Sequence, residues 1–213
     1  MTVSTQSETV EILDLASVLD GLGVKVRFAR DEEIYAQDDE VSRLYRVVRG
    51  VVRTSRFTLE GRRQIGDFYY QGDIFGLEPG PLHLFAAEAL TDCEVIAVKR
   101  SAVEQAVGPA VFNAAVLQAT GRELARMQEH LLVLGRKAAL ARVASFLLGM
   151  AGEASNNAVD LPMGRQDMAD YLGLTIETVS RSLTQLQGDS VVEFPSTRRF
   201  QVRKRHALEA LVA

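Results

Sequence analysis

The stretch from Arg165 to Leu186 constrains the fold of this chain more than any other. It predicts two short amphipathic helices that meet at a sharp turn, with Ala169 where the helices approach closely and Gly173 at the turn. Apolar residues recur every three or four positions in the second helix and can pack on the first: Ile176, Val179, Leu183 and Leu186. This spacing is typical of a helix-turn-helix.

The opposite face of the second helix carries polar groups suited to reading DNA bases. Glu177, Ser180 and Arg181 lie three or four positions apart and therefore point the same way. An arginine can donate twice to guanine, a carboxylate can accept from cytosine, and a serine hydroxyl can do either. Because phosphates repel a carboxylate, Glu177 fits this face if it reads a base or orients the neighbouring arginine. The alternative is an ordinary helical hairpin with a solvated polar face.

Residues around these two helices complete the predicted DNA-binding surface. Thr175 is a plausible N-cap of the second helix, and Gly164 is a weaker one for the first. Beyond Gly188, two short strands resemble a hairpin with a basic tip, which is the shape of a wing. The wing arginines are expected to contact phosphates, with a solvated turn as the alternative for each. The predicted DNA-binding set is Glu177, Ser180, Arg181, Thr175, Thr178, Arg165, Arg198 and Arg199.

The charge of the chain is distributed unevenly. The net charge is −4 over 213 residues, but residues 161–213 hold seven basic residues against six acidic ones. The acidic excess therefore belongs to the first 160 residues, and the basic residues of the last segment cluster near its end. The single cysteine, Cys93, excludes an internal disulfide framework and predicts a reducing, cytoplasmic location. No signal peptide, and no apolar stretch that would enter a membrane, is expected.

The first half of the chain predicts a short helix followed by an antiparallel β-roll or sandwich. Apolar residues at helical spacing from Val10 to Leu19 predict the helix. Short strands separated by turn residues then imply antiparallel pairing. The predicted strands are 24–28, 44–48, 51–57, 65–70 and 94–98. Cys93, at the edge of the last strand, is interpreted as a buried core thiol rather than a sensor.

A long helix after Pro109 joins the two halves. Its heptad seam, in alternating steps of four and three, predicts a two-stranded coiled coil between two copies of the chain. A long helix packed only on its own β-domain is the alternative. The predicted dimer interface is Leu117, Thr120, Leu124, Met127, Leu131 and Leu134. The fold class is therefore α+β, with a sensor-like domain (1–108), a dimerisation helix (109–135) and a winged helix-turn-helix domain (136–213).

This order of β-roll, long heptad helix, helix-turn-helix and wing resembles the CRP/FNR superfamily of bacterial transcription regulators over essentially the whole chain. The turn glycines of that family are present here as Gly50, Gly61, Gly72 and Gly76. Asp38 stands where the family usually has a fifth glycine, and aspartate adopts positive φ more readily than most residues. The pattern Glu177-x-x-Ser180-Arg181 resembles FNR-type readers, and the segment 161–179 is most similar to the FixK-like branch. The resemblance implies nitrogen fixation or a microoxic response as the setting.

The ligand sites of the family do not carry over to this sequence. In members that bind cyclic AMP, a Gly-Glu pair and an Arg-Ser pair hold the nucleotide, whereas this chain has Gly76-Leu77 and His83-Leu84 at the corresponding places. The phosphate would lack its charge-assisted donor. The N-terminal cysteines that hold an iron–sulfur centre in FNR are also missing before Cys93, and the three histidines are scattered. No cofactor and no metal is therefore expected.

The leading hypothesis is a homodimeric activator that binds a palindromic promoter site of the TTGA/TCAA kind in double-stranded DNA without a small-molecule effector. The alternative is a regulator gated by haem or a small organic ligand in the β-roll. No catalytic residues are expected, because no nucleophile–base pair or metal-spaced cluster stands out. By analogy with the family, the turn 60–63 and residues near Asp67 are candidates for contact with RNA polymerase.

Overall fold

The computed structural model of the chain describes residues 14–136, 138–152 and 158–212. In these ranges the helices are α1 Leu15–Leu22, α2 Arg100–Val107, α3 Pro109–Leu134, α4 Ala139–Ala151, α5 Arg165–Leu172, α6 Ile176–Gly188 and α7 Arg205–Ala210. The strands of the first half are β1 Val24–Phe28, β2 Glu33–Tyr35, β3 Arg43–Arg49, β4 Val52–Phe57, β5 Arg63–Tyr69, β6 Ile74–Phe75, β7 Ala86–Ala89 and β8 Cys93–Lys99. The strands of the second half are β9 Val159–Asp160, β10 Val192–Ser196 and β11 Arg199–Val202.

The first half folds into the predicted antiparallel roll. One four-stranded sheet has the order β1-β8-β3-β6 and the other has the order β2-β7-β4-β5. All five predicted strands are present, and the side chains between the sheets form an aromatic-rich core that includes Tyr35, Tyr45 and Phe75. The sequence did not reveal β2, β6 and β7, which have two to four residues; β7 reads Ala-Ala-Glu-Ala, which has no strand-forming side chains of its own. Pairing with β4 holds it in the sheet.

The turns of the roll use the residues that the sequence singled out. The four family-like glycines have φ between 74° and 95°, and Asp38 has φ 67°. At Gly50 an added Cβ would lie 2.5 Å from the carbonyl oxygen of Asp92. A side chain there would therefore be excluded both by the backbone conformation and by the neighbouring strand.

Helices α1 and α2 cover one end of the roll. The predicted N-terminal helix is present but begins at Leu15, with Asp14 as its N-cap; Val10 and Leu13 lie outside the described residues. Helix α2 was not predicted. Its buried residue Val103 joins a cluster with Leu19 of α1 and Phe112 of α3. This cluster attaches the base of the long helix to the roll.

Helix α3 is 26 residues long and has Pro109 at its first position. One face is buried on the roll through Phe112, Ala115 and Ala119. Packing on its own domain therefore accounts for one face only. The predicted seam lies beside this face, and four of its apolar members are exposed by 47–74% in the single chain: Leu117, Leu124, Met127 and Leu131. Thr120 and Leu134 are half-buried.

The second half packs α4, the helix pair α5–α6, α7 and the three-stranded sheet β10-β11-β9 around one core. Met168, Leu172 and Phe200 are fully buried in it. The same cluster includes Ile65 and Phe68 of the roll, so the two halves share apolar contacts. Among the described residues, none of the helices is both long enough and apolar enough to cross a membrane.

Candidate nucleic-acid interface

The turn between α5 and α6 has the predicted geometry. Gly173 adopts φ 61° and ψ 42°, the left-handed conformation that ends a helix, and its N–H donates to the Ala169 carbonyl. Ala169 is completely buried, as expected where two backbones approach. The Arg142 guanidinium donates to the carbonyls of Leu172 and Gly173, at 3.2 and 3.4 Å. The free carbonyls at the end of α5 are therefore satisfied by a cation from α4.

Helix α6 begins at the predicted cap. Thr175 Oγ1 accepts from the backbone N–H of Thr178 at 3.3 Å, and the two hydroxyl oxygens lie 3.0 Å apart. Val179 and Leu183 are buried, as is Leu186. Ile176 differs from the predicted stripe because it remains 37% exposed. It is the first residue of α6, next to the turn.

The polar face of α6 points to solvent. Glu177, Arg181 and Thr184 are exposed, and Ser180 is half-buried. The pKa of Glu177 is lowered, mainly because its carboxylate accepts a hydrogen bond from its own backbone N–H and, to a smaller extent, because it bonds with the Thr175 side chain. The face therefore presents a carboxylate, a hydroxyl and a guanidinium within about one turn of helix. We call Glu177, Ser180 and Arg181 the reading face.

Three further predicted residues lie on α5 and at the start of α6. Arg165, the first residue of α5, donates to Ser180 Oγ at 3.2 Å. Thr175 and Thr178 lie at the start of α6, where their hydroxyls contact each other. The structure thus joins Arg165 to the reading face, whereas Thr175 and Thr178 also line a cleft that they share with Arg62 and Arg63 of the roll.

The two wing arginines are held by local contacts. The Arg198 guanidinium donates to the carbonyl of Pro162, and its backbone N–H donates to Ser196 Oγ at 3.3 Å. Arg199 Nε lies 3.0 Å from Asp160 Oδ1 on the neighbouring strand β9. The sequence did not reveal β9, because it has only two residues. Both side chains are nonetheless exposed, and the Arg199–Asp160 pair is itself 55% and 83% exposed.

Two residues suggested as polymerase contacts do not lie on a free surface. Arg63 ion-pairs with Asp167 and Asp170 of α5, each at 2.7 Å. Asp67 lies against Arg126, and burial raises its pKa to about 6. Glu60 and Arg62 of the same turn are exposed. The side chains of Arg63 and Asp67 face the boundary between the two halves of the molecule.

The place of the family nucleotide site is a cavity of about 230 Å³ between the roll and α3. Gly76, Leu77 and Leu84 line it, as expected from their positions in the sequence. No arginine is found among the described residues that line it, but three carboxyl groups are: Asp67, Glu78 and Glu123. Burial raises the pKa of Glu123, whose Oε1 accepts from the Tyr69 hydroxyl at 2.6 Å. Neither the apolar walls nor the carboxyl groups favour a phosphate.

Two further candidate ligands, Cys93 and His83, are buried in the core. Cys93 is buried, as predicted, and two carbonyl oxygens lie within reach of its single S–H, that of Val51 at 3.1 Å and that of Thr91 at 3.0 Å. His83 is buried and stacks on Tyr35 with ring centroids 3.7 Å apart. Within the part of the chain that the structure describes, no three His, Cys, Asp or Glu side chains form a group that could hold a metal ion.

Comparisons with known proteins agree with this architecture. The family described as Crp-like helix-turn-helix domain matches residues 141–211, and the family described as cyclic nucleotide-binding domain matches residues 25–108. The nitrogen fixation regulation protein FixK of Azorhizobium caulinodans is 46% identical over 203 residues, covering 92% of this chain and 82% of that protein. The transcriptional activatory protein AadR of Rhodopseudomonas palustris is 35% identical over 178 residues, covering 80% of this chain and 74% of that protein.

A solved structure shows the same arrangement of domains. The structure of FixK2 from Bradyrhizobium japonicum superposes with a TM-score of 0.83 at 43% identity, covering 90% of this chain and 98% of that one. The helix-turn-helix domain and the roll are thus shared with the FixK2 structure. The chain belongs to the CRP/FNR family of DNA-binding transcription regulators and is not an enzyme.

Proposed function

We propose that the protein activates transcription as a homodimer that binds TTGA/TCAA-type palindromes through the reading face, without a small-molecule effector. The observation that carries this proposal is that α6 presents exposed Glu177 and Arg181 with half-buried Ser180 between them. These side chains supply a cytosine acceptor, a flexible hydroxyl and a bidentate guanine donor. One G·C pair in each half-site satisfies both the carboxylate and the guanidinium. Thr175, Thr178 and Arg165 flank this face, and Arg198 and Arg199 extend it along the wing.

Dimerisation follows from membership of the family, and we propose the α3 seam as the interface. Four large apolar side chains exposed along one line of a helix are costly in water and are buried when a second α3 packs against them. In this arrangement residues 1–108 form the roll domain, 109–135 the dimerisation helix and 136–213 the DNA-binding domain. A two-fold dimer places its reading helices about 34 Å apart, which corresponds to half-sites roughly ten base pairs apart.

The roll cavity supports independence from cyclic nucleotides. A cyclic phosphate bound there would meet three carboxyl groups and no arginine among the described lining residues. The apolar cavity keeps a second candidate open, a regulator gated by a small organic ligand. Haem has less support, because no histidine or cysteine is among the described residues lining the cavity, where Tyr69 and Met127 are the side chains that could serve as axial ligands. The Tyr69 hydroxyl is bonded to Glu123.

The setting follows from the relatives. FixK is named as a regulator of nitrogen fixation and AadR as a transcriptional activator, and we propose an activating role in nitrogen fixation or the microoxic response. A DNA-binding regulator acts where the bacterial chromosome lies, in the cytoplasm. The exposed part of the turn at Glu60 and Arg62 is the candidate contact with RNA polymerase.

Fluorescence anisotropy with purified protein and no added ligand tests the proposal. A labelled TTGA/TCAA palindrome is titrated beside a scrambled duplex of equal length and composition. We expect at least roughly a thousandfold preference for the palindrome, the lower end for specific binders. Equal affinity for the two duplexes would contradict the assignment of the reading face. Specific binding that appears only with an added cell extract of small molecules would favour the ligand-gated alternative.

A further inference from the structure

Four charged side chains cross the boundary between the roll and the DNA-binding domain. Arg63 of β5 contacts both Asp167 and Asp170 of α5, with Nε and a terminal nitrogen each 2.7 Å from a carboxylate oxygen. Arg53 of β4 contacts the same oxygen of Asp167 at 3.1 Å. The exposed fraction of these side chains is 10–22%. We call this group the interdomain clasp: Arg53, Arg63, Asp167 and Asp170.

Both sides of the clasp are held in place within their own domains. Arg53 also contacts Glu88 at 2.8 Å, its neighbour across the β4–β7 pair. On the other side, Asp167 Oδ2 accepts from the Gly164 N–H at 3.0 Å and so caps the start of α5. Asp170 Oδ1 accepts from Gln166 at 2.7 Å. The roll and α5 therefore meet through side chains whose rotamers are already fixed.

The clasp occupies a face of α5 that the DNA surface does not use. Asp167 and Asp170 are three residues apart on one side of α5 and point at the roll, whereas Glu177 and Arg181 on α6 stay in solvent. The clasp contacts are formed in a structure in which the reading face is accessible to solvent. The orientation that the clasp fixes thus leaves Glu177 and Arg181 exposed.

We propose that the clasp residues are positioning residues for DNA recognition. They hold each DNA-binding domain at one orientation to the roll and to α3, so that the two reading faces of a dimer match the half-site spacing with no ligand bound. This inference rests on the proposed dimeric binding of a palindrome. A buried ion pair adds little to the stability of a fold, because the cost of removing both charges from water offsets their mutual attraction. The directional hydrogen bonds of such a pair nevertheless fix the relative orientation of the groups that they join.

A rigid orientation has a measurable consequence, which is intolerance of altered spacing. When the two domains are held at one separation, both bind together only if the half-sites match it, and the second contact is then intramolecular. When the DNA-binding domains are free to reorient, the affinity for the matched spacing falls, and the affinity for a mismatched spacing differs from it less. Binding to a single half-site does not depend on the orientation at all.

The test compares Arg63→Glu with the double variant Arg63→Glu/Asp170→Arg. The single change repels both aspartates, and the double change restores an opposite pair. Arg46→Glu is the matched control, because Arg46 has a similar exposed fraction, 24%, and pairs with Asp20 at 2.6 Å inside the N-terminal half. Each protein is titrated with the palindrome, with a palindrome carrying one extra central base pair, and with a single half-site.

For Arg63→Glu we expect roughly a tenfold or greater loss on the palindrome, a much smaller penalty for the extra base pair, and less than about twofold change on the half-site. The double variant should recover the spacing preference, and Arg46→Glu should keep it. An unchanged spacing penalty in Arg63→Glu would overturn the inference, as would an equal loss on palindrome and half-site.

A measurement without DNA separates this inference from the proposed function. Spin labels at Lys25→Cys and Gln185→Cys, diluted into unlabelled protein, report the distance between roll and reading helix within one chain. Cys93 is buried and does not interfere. We expect a narrow distance distribution in the parent and double variant and a broad one in Arg63→Glu. Equal distributions would refute the clasp whatever the DNA results. If Arg63→Glu does not fold, Arg63→Lys replaces it, with an intermediate width expected.

Discussion

Arg165 on α5 donates a hydrogen bond to Ser180 on α6 at 3.2 Å, which joins two predicted DNA-binding residues across the helix-turn-helix. The contact places a second guanidinium beside Glu177 and Arg181. Cationic side chains at the edge of a reading face contact phosphates and set the register, while those at its centre contact bases. We therefore expect different substitutions on this surface to have different effects on sequence preference.

Replacing Arg181 with alanine should relax the preference for the G·C step of the half-site. The loss of a bidentate guanine contact costs roughly 1–3 kcal/mol per half-site. Titration of duplexes that carry each of the four base pairs at that step measures the effect, with Arg198→Ala as the control. If Arg198 contacts phosphate, its loss should weaken all duplexes about equally and reduce the slope of log affinity against log salt by about one. A preserved preference in Arg181→Ala would contradict the assignment.

Replacing Leu124 with aspartate should convert the protein to a monomer. In the proposed seam the two aspartates would face each other in a buried environment, at a cost of several kcal/mol. Gln118→Asp is the control, because it adds the same charge on an exposed face of α3 outside the seam. Sedimentation velocity distinguishes the two outcomes. A dimeric Leu124→Asp protein would show that another surface forms the interface.

Cyclic AMP should neither bind measurably nor change the affinity for DNA. The cavity at Gly76 and Leu84 offers no arginine among the described residues that line it, and a ligand without differential affinity for two states shifts no equilibrium. Isothermal titration calorimetry measures binding directly, and anisotropy with and without the nucleotide measures its effect on DNA. A micromolar dissociation constant would overturn this expectation.

The stability of the protein should depend on pH through Asp67. The pKa of this carboxyl is raised from 3.8 to about 6, mainly by burial. The Phe68 N–H and Arg126 favour the charged form and oppose this rise, whereas the nearby carboxyl groups of Glu123 and Asp73 add to it. Between these pH values the folded state keeps a proton that the unfolded state has released. The contribution of Asp67 to stability therefore falls as pH rises from about 4 to about 6 and is constant above that.

Asp67→Asn removes this dependence, because asparagine cannot ionise and still offers an oxygen to the Phe68 N–H. We expect the variant to gain roughly 1–3 kcal/mol in free energy of unfolding at pH 7–8, with the gain shrinking to about half near pH 5. Urea denaturation at several pH values measures it. A gain that does not change with pH, or a loss at pH 8, would show that the Arg126 contact outweighs burial.

Local patterns in the sequence were sufficient for the elements that depend on neighbouring residues. Gly173 at the turn, Thr175 at the cap and the stripe from Val179 to Leu186 were all predicted, because helix periodicity and capping act over a few positions. Ile176 was the exception, because it lies at the first position of α6 and remains 37% exposed. Similarly, the strong strands of the roll were predicted, whereas β7 takes its conformation from β4.

Only the tertiary structure could decide which distant charges meet. Arg63 and Asp167 are 104 positions apart, and no periodicity links a roll arginine to a carboxylate on α5. The spacing of Asp167 and Asp170 places both on one face of α5, but it does not show what that face contacts. The pairing of Arg199 with Asp160 and the burial of Asp67 likewise depend on residues that are far apart in the sequence. The sequence by itself determined α5, α6, the turn between them and the chemistry of the reading face through short-range rules. The packing of the roll on α5 determined how that face is oriented, because ion pairs across domains form only once the chain has folded.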